Sequence, residues 1–258
     1  MEDREEIIVS FTTWKPRIHN IPIVVDSLLS QTLLPDKIVI NLACHEIIPY
    51  EVNNYIIEHS IEINRVEDTK VYKKLLPTLL KYPNACIINI DDDFIYPSHM
   101  IHDFLTMHKR YPNNPISGNN QVLYGMQCHC GCASLTKKEY FGELLTSVDE
   151  ELISHCKSDD LVFSYLATLA GHPYLRTKNA YFYNMQAIES SEPYSSFDYK
   201  KVFNETYQYL NNRLGALPNV LSILINNNSV MKDWHQMPLL YSLEHYYASS
   251  HTHRKSAA

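Results

Sequence analysis

The chain has 258 residues, 45% of them hydrophobic and 20% charged, with 22 Lys and Arg against 29 Asp and Glu. That length and apolar content suffice for one sizeable core or a domain with an appendage, and they argue against wholesale disorder. A formal net charge of -7 gives no electrostatic support to nucleic-acid binding, and the first of the six glycines is Gly118, so no glycine-rich phosphate loop can stand before it.

Ile7-Ile-Val-Ser-Phe11 is a nearly continuous apolar run closed by Thr12-Thr-Trp-Lys-Pro16, and reads as a buried strand. Ile21, Val24, Val25, Leu28 and Leu29 then recur at helical spacing, with Asn20 placed to cap that helix and Pro22 tolerated in its first turn. A second strand follows over residues 37–42, a helix over 52–59 and a third strand over 61–66. Residues 71–82 read as a helix in which Pro77 makes a kink or a broken start. The fourth strand covers 85–90, and the helix after it, 97–111, carries Met100, Phe104, Met107 and His108 on one side. Strands alternating with helices predict an α/β fold, a mostly parallel central sheet flanked by helices.

Beyond Pro115 the pattern loosens. A strand is expected at 132–135, helices at 137–145 and 159–169, the latter stopped by Gly171, and short strands at 174–176 and 181–183. From about residue 189 the composition turns polar and aromatic. Tyr199, Phe203, Tyr207, Leu210 and Leu214 line one helix face with Gly215 behind it, and another helix is expected at 238–247. The chain therefore divides into an α/β domain, 1–188, and a helical appendage, 189–258. No basic segment leads into a long apolar one at the N-terminus, and no run of about 18 apolar residues occurs, so a cytoplasmic protein is expected. Peripheral association with the inner face of a membrane stays open.

Six cysteines are too sparse for a disulfide scaffold, so free thiols are expected. Cys128-His-Cys-Gly-Cys132 lacks the spacers of a zinc site. In a strand its three thiols would share one face and pack as small hydrophobes, the reading favoured here.

Asp91-Asp-Asp93 directly follows the fourth strand, at the carboxyl edge of the sheet, where ligands bind in open α/β folds. Three adjacent carboxylates resist joint ionisation unless a cation neutralises them, and Mg²⁺ or Mn²⁺ completed by phosphate oxygens suits that need. The plainer alternative is a solvated loop whose Asp93 or Ser98 caps the next helix. Ser158-Asp-Asp160 has two readings of equal standing. It is a good helix cap, and it is also a place for a carboxylate acting as general base.

The stretch Ile8-Val-Ser-Phe-Thr-Thr-Trp-Lys-Pro-Arg-Ile18, followed by Asp26-Ser-Leu-Leu-Ser-Gln-Thr-Leu-Leu-Pro-Asp-Lys-Ile-Val-Ile40, resembles the opening of family 2 glycosyltransferases, in particular the bacterial branch acting on cell-surface polysaccharide. Glu67-Asp68-Thr69, Lys73-Lys74, Ile90 to Pro97 and Ser158-Asp-Asp160 continue the likeness in order, over roughly residues 6–171. The resemblance implies a GT-A fold and a nucleotide-diphosphate-sugar donor. It implies Thr12, Arg17, Asp68, Lys73, Asp91 and Asp92 as donor-binding residues, with Asp91 and Asp93 as the D-x-D metal ligands for Mn²⁺ or Mg²⁺. Asp160 becomes the catalytic base, with Asp159 beside it to orient base or acceptor, or to cap the helix. The family's Asp at the end of the second strand is missing from Asn41-Leu-Ala-Cys-His-Glu46. His172 and His235 are the candidates for a third metal ligand.

The expected activity is metal-dependent, inverting transfer of a sugar to an acceptor hydroxyl in surface polysaccharide or lipopolysaccharide synthesis. The acceptor would be a glycan or a lipid-linked glycan. Two alternatives are a nucleotidyltransferase, for which Thr12 to Arg17 is a poor triphosphate loop, and a GT-A-like module that binds glycans or a partner without catalysis. The aromatic stripe of the appendage reads first as a packing face. Its other readings are a platform for acceptor sugars and a dock for a partner or membrane face.

Overall fold

The computed structural model describes residues 5–119, 121–129, 132–177, 185–188 and 198–226. Its elements in chain order begin with β1 (Ile7–Thr12), α1 (Ile21–Leu29), β2 (Lys37–Ala43), α2 (Tyr50–Glu58), β3 (Glu62–Val66), α3 (Leu76–Lys81) and β4 (Cys86–Ile90). There follow β5 (Phe94–Ile95), α4 (Met100–Arg110), β6 (Ile116–Ser117), β7 (Val122–Leu123), β8 (Met126–Gln127) and β9 (Ala133–Thr136). The rest are α5 (Glu150–His155), α6 (Asp159–Leu169), β10 (Leu175–Arg176), β11 (Gln186–Ala187), α7 (Tyr199–Leu214) and α8 (Val220–Asn226).

Seven strands form one sheet in the order β10-β6-β9-β4-β1-β2-β3. β1 pairs parallel with β2 and β4, and β2 with β3, whereas β9 runs antiparallel between β4 and β6. The sheet is therefore mostly parallel, as the alternation of strands and helices predicts. Continuous burial of Ile7, Ile8, Val9 and Phe11, and of every residue of β4, follows from coverage on both faces. This order brings the carboxyl ends of β1, β2, β3 and β4 to one edge.

Four local expectations need correction. Asn20 makes no side-chain cap; its Nδ2 donates to the Asp92 carbonyl at 3.1 Å. The helix expected over 71–82 is split into a 3₁₀ turn, Lys70–Lys74, and α3, with Pro77 in the first turn of α3. Proline has no N–H to donate and its ring crowds the carbonyl four residues back, so a helix is kinked or broken there, and here it is broken. The helix expected over 137–145 is two 3₁₀ turns, Lys138–Tyr140 and Gly142–Ser147, separated where Gly142 takes φ 52°. No strand runs through Cys128 to Cys132 among the described residues, although Cys128 and Cys132 are both buried as expected.

The strand expected at 181–183 and the helix expected at 238–247 lie outside the described residues. β7 and β8 form a hairpin whose two turn residues, Tyr124 and Gly125, both have positive φ, the two-residue geometry that matches strand twist. Tyr124 then stacks on Tyr207 of α7 at 4.0 Å between ring centroids. Leu210, Val220 and Leu224 join the same buried core as the sheet, and the Tyr165 hydroxyl donates to the Gly215 carbonyl at 2.6 Å. The packing reading of the aromatic stripe thus holds for Tyr207, Leu210 and Leu214. Tyr199, at the start of α7, remains 60% exposed.

Candidate active site

A cleft of about 590 Å³ opens at the carboxyl edge of β1 to β4. Thr12, Arg17, Asp68, Lys73, Asp91, Asp92, Asp93, Asp159 and Asp160 all line it, so the donor, D-x-D and base candidates expected from the sequence meet in one cavity. Seven carboxylates and five Lys or Arg side chains face it, beside Trp14, Tyr199, Val202 and Phe203.

The three aspartates after β4 are not equivalent. Asp92 is buried, accepting from Thr13 Oγ1 at 2.7 Å and from Arg17 Nη1 at 3.1 Å. Burial outweighs those contacts and pushes its carboxyl up to about 6. The same Arg17 nitrogen reaches Asp93 Oδ2 at 2.8 Å, while Asp93 Oδ1 is buried with no hydrogen-bond partner. Burial, and then the charge of Asp91, raise the Asp93 carboxyl above its ordinary range against the pull of Arg17. Asp91 keeps 31% of its side chain exposed, and the Tyr96 hydroxyl bonds its main-chain atoms at 2.9 Å. Arg17 therefore grips the triplet, and Asn20 holds its backbone.

Lys74 is the cation at the centre. Its Nζ lies 3.0 Å from Asp91 Oδ1 and 3.2 Å from Asp159 Oδ2, with the side chain 8% exposed. Burial alone would strip the ammonium of its proton, but Asp159, Asp91 and Asp160 hold it charged, well above the usual lysine range. The main chain there is fixed from the sheet. Ser10 Oγ donates to the Lys74 carbonyl at 2.6 Å, and Asn41 bonds Ser10 and Thr78. On the far side Ser158 caps α6, accepting from the Leu161 N–H, which confirms the capping reading. Asp159 turns inward to Lys74, and burial lifts its carboxyl above the ordinary range. Asp160, half-buried, stands beside it on the cleft wall.

At the mouth, Asp68 binds Lys70 at 2.6 Å and also Lys73. Against the effect of burial these two lysines hold its carboxyl far below the usual range. Thr12 donates its hydroxyl to the Asn41 carbonyl at 2.7 Å, tying the end of β1 to β2. Glu46, beyond β2, also lines the cleft, with 12% of its side chain exposed.

No family model and no curated protein matches the sequence. Among solved structures, the mannosyltransferase PcManGT from Pyrobaculum calidifontis, in complex with GDP-Man and Mn²⁺, is similar with a TM-score of 0.59 at 13% identity. That likeness covers 96% of this chain and 76% of PcManGT. S. aureus TarS is similar with a TM-score of 0.55 at 15% identity, over 85% of this chain and 42% of TarS. The fold is GT-A-like.

Within this GT-A-like frame the donor chemistry suits a hard divalent cation. Asp93 Oδ1, buried and without a hydrogen-bond partner, is the atom whose desolvation a cation would relieve. Asp91 supplies a second, partly exposed carboxylate. Among the described residues no group of three or more potential metal ligands includes Asp91 or Asp93; Mg²⁺ or Mn²⁺ held by one or two carboxylates takes the rest of its shell from phosphate oxygens and water. His172 does not serve: its Nδ1 sits 2.7 Å from the Asn113 carbonyl, and it is absent from the cleft lining. His235 lies outside the described residues. Asp92 is committed to Thr13 and Arg17 and is a poor ligand. Sequence reasoning missed Lys74, Thr13, Glu46 and His129, which is fully buried near Asp159 and Asp160.

Proposed function

We propose that the protein is a metal-dependent glycosyltransferase that moves a sugar from a nucleotide-diphosphate sugar to an acceptor hydroxyl with inversion of configuration. The observation that carries this reading is the meeting of Asp91, Asp93, Lys74 and Asp160 in one cleft at the carboxyl edge of a GT-A-like sheet. A divalent cation on Asp91 and Asp93 would neutralise charge developing on the leaving diphosphate. Asp68 and Glu46 accept hydrogen bonds from the nucleoside, and Lys73 faces its phosphates. Asp160 removes the proton from the acceptor hydroxyl as that oxygen attacks the anomeric carbon, so one displacement inverts the centre. Lys74 pairs with Asp159 and holds it in place, and Trp14, Tyr199 and Phe203 offer apolar faces to the acceptor.

The resemblance of residues 6–171 to enzymes of bacterial surface polysaccharide extends the reading to a glycan or lipid-linked glycan acceptor. No helix among the described residues is long and apolar enough to cross a membrane. Thermal-shift measurements across nucleotide sugars, with and without Mn²⁺, test the proposal, followed by a donor-hydrolysis screen. Stabilisation by one nucleoside-diphosphate sugar only with metal, together with turnover, supports it. A response to nucleoside triphosphates alone would replace it with a nucleotidyltransferase, and no response to any nucleotide with a binding module.

A further inference from the structure

His129 sits in the segment between β8 and β9, fully buried, and meets α6 through one hydrogen bond to Ser164 and a ring contact with Phe163. Its backbone N–H donates to Ser164 Oγ at 2.6 Å, and Ser164 Oγ donates to the Asp160 carbonyl at 2.6 Å. The ring packs between Phe163 and Tyr174, at 5.6 and 5.2 Å between centroids. Its Nδ1 lies 2.9 Å from the Tyr174 hydroxyl, itself buried, whereas Nε2 has no hydrogen-bond partner. One nitrogen of this ring and one carboxylate oxygen each from Asp159 and Asp160 all lie within 4.8 Å of one another. That trio has the composition of a metal site, but Lys74 already supplies a cation at 3.2 Å from Asp159.

Burial, and then the neighbouring charge of Lys74, keep the His129 ring neutral, so it carries a single proton. The buried Tyr174 hydroxyl meets both Nδ1 and the Thr136 side chain, and we assign its proton to Nδ1. With the Tyr174 hydroxyl donating to Nδ1, the single ring proton sits on Nε2, the nitrogen that has no hydrogen-bond partner. We infer that His129 is a positioning residue for the acidic pair, its Nε2–H, set by Tyr174 at Nδ1, steering the Asp159 and Asp160 carboxylates so that Asp160 faces the acceptor. This rests on the transferase reading of the cleft. Hydrogen bonds of this kind are commonly long before substrate arrives and tighten in the complex.

The test compares wild type, His129→Leu and His129→Gln in steady-state donor turnover with Mn²⁺, with melting temperatures recorded alongside. Gln keeps an N–H near the position of Nε2, and Leu does not. Removing such an orienting contact should lower kcat roughly 10–100-fold in His129→Leu with donor KM unchanged, by analogy with outer-shell partners of metal ligands. His129→Gln should recover most of that loss. Full turnover in His129→Leu, or a loss in His129→Gln as large as in His129→Leu, would overturn the assignment.

A second measurement needs no activity. Two-bond proton–nitrogen NMR of the histidine rings should show His129 neutral and protonated at Nε2, with that proton shifting in Asp160→Asn. Protonation at Nδ1, or an Nε2 proton blind to Asp160→Asn, overturns the inference. If wild type turns over no nucleotide sugar, the transferase reading fails by itself and the ring spectrum still decides His129.

Discussion

Asp91 and Asp159 share one cation: Lys74 Nζ stands 3.0 Å from the first and 3.2 Å from the second. The two carboxylates belong to opposite walls of the cleft, one following β4 and one opening α6. Without the ammonium between them they would repel across a poorly solvated gap. Lys74→Met keeps the length of the side chain and removes its charge. We expect it to cost about 3–5 kcal/mol of unfolding free energy, the range for breaking one side of a buried ion pair. Urea denaturation measures this, and adding Asp159→Asn should restore a large part of the loss. If the double variant is as unstable as the sum of the singles, the two residues are not coupled.

Asp160 and Asp159 are neighbours with different surroundings, and this separates their roles. Asp159 is buried against Lys74, whereas Asp160 is half-buried on the cleft wall. Asp160→Asn should lower turnover by about 10²–10⁴, the usual contribution of a general base, and leave donor affinity within a small factor. Single-turnover rates and donor titration check the two halves of that statement. Unchanged turnover in Asp160→Asn would remove it from the chemistry.

Asp93 offers one oxygen to Arg17 and a second, buried oxygen to no hydrogen-bond partner. Asp93→Ala should therefore abolish the part of donor-induced thermal stabilisation that depends on Mn²⁺, while the melting temperature of the free protein changes little. Should donor and Mn²⁺ still stabilise the variant as they do the wild type, Asp93 is not a metal ligand.

Much of this site is legible in the linear sequence because its carboxylates are punctuation. Asp91 to Asp93 end an apolar strand and Asp159-Asp160 open a periodic helix, so elementary strand and helix patterning puts both at element ends. Lys74 and His129 gave no such signal. The importance of Lys74 arises from a contact with Asp159 across the cleft, and its neighbour Lys73 reads equally well as a cation near phosphate. His129 is flanked by cysteines, and a Cys-His-Cys run reads as burial or zinc. Its bonds to Ser164 and Tyr174 exist only once α6 and β10 pack around it. The split at Pro77 was visible as a kink or broken start, yet not its consequence. It tightens Lys70–Lys74 into a 3₁₀ turn that aims Lys73 and Lys74 at different acids. Two-residue strands such as β6 and β7 carry too little periodicity to be read at all, whereas β10 falls inside the short strand expected at 174–176.

Asp92 gives a pH-dependent test of the grip that Arg17 and Thr13 exert on the triplet. Its carboxyl is raised from 3.8 to about 6, so the folded state binds this proton more tightly than the unfolded chain does. The sign follows: the contribution of Asp92 to stability is fully present below about pH 4 and is lost as pH rises through about 6. At about 1.4 kcal/mol per pH unit the loss is roughly 3 kcal/mol at most. Asp92→Asn cannot ionise, while its amide can still accept from Arg17 and bond Thr13. Its stability relative to wild type should therefore climb between pH 4 and pH 7. Parallel urea melts of the two proteins at pH 4, 5.5 and 7 isolate this group, because other titrations are common to both. A difference that stays flat across that interval would mean that Asp92 is ionised throughout, with Arg17 and Thr13 outweighing its burial.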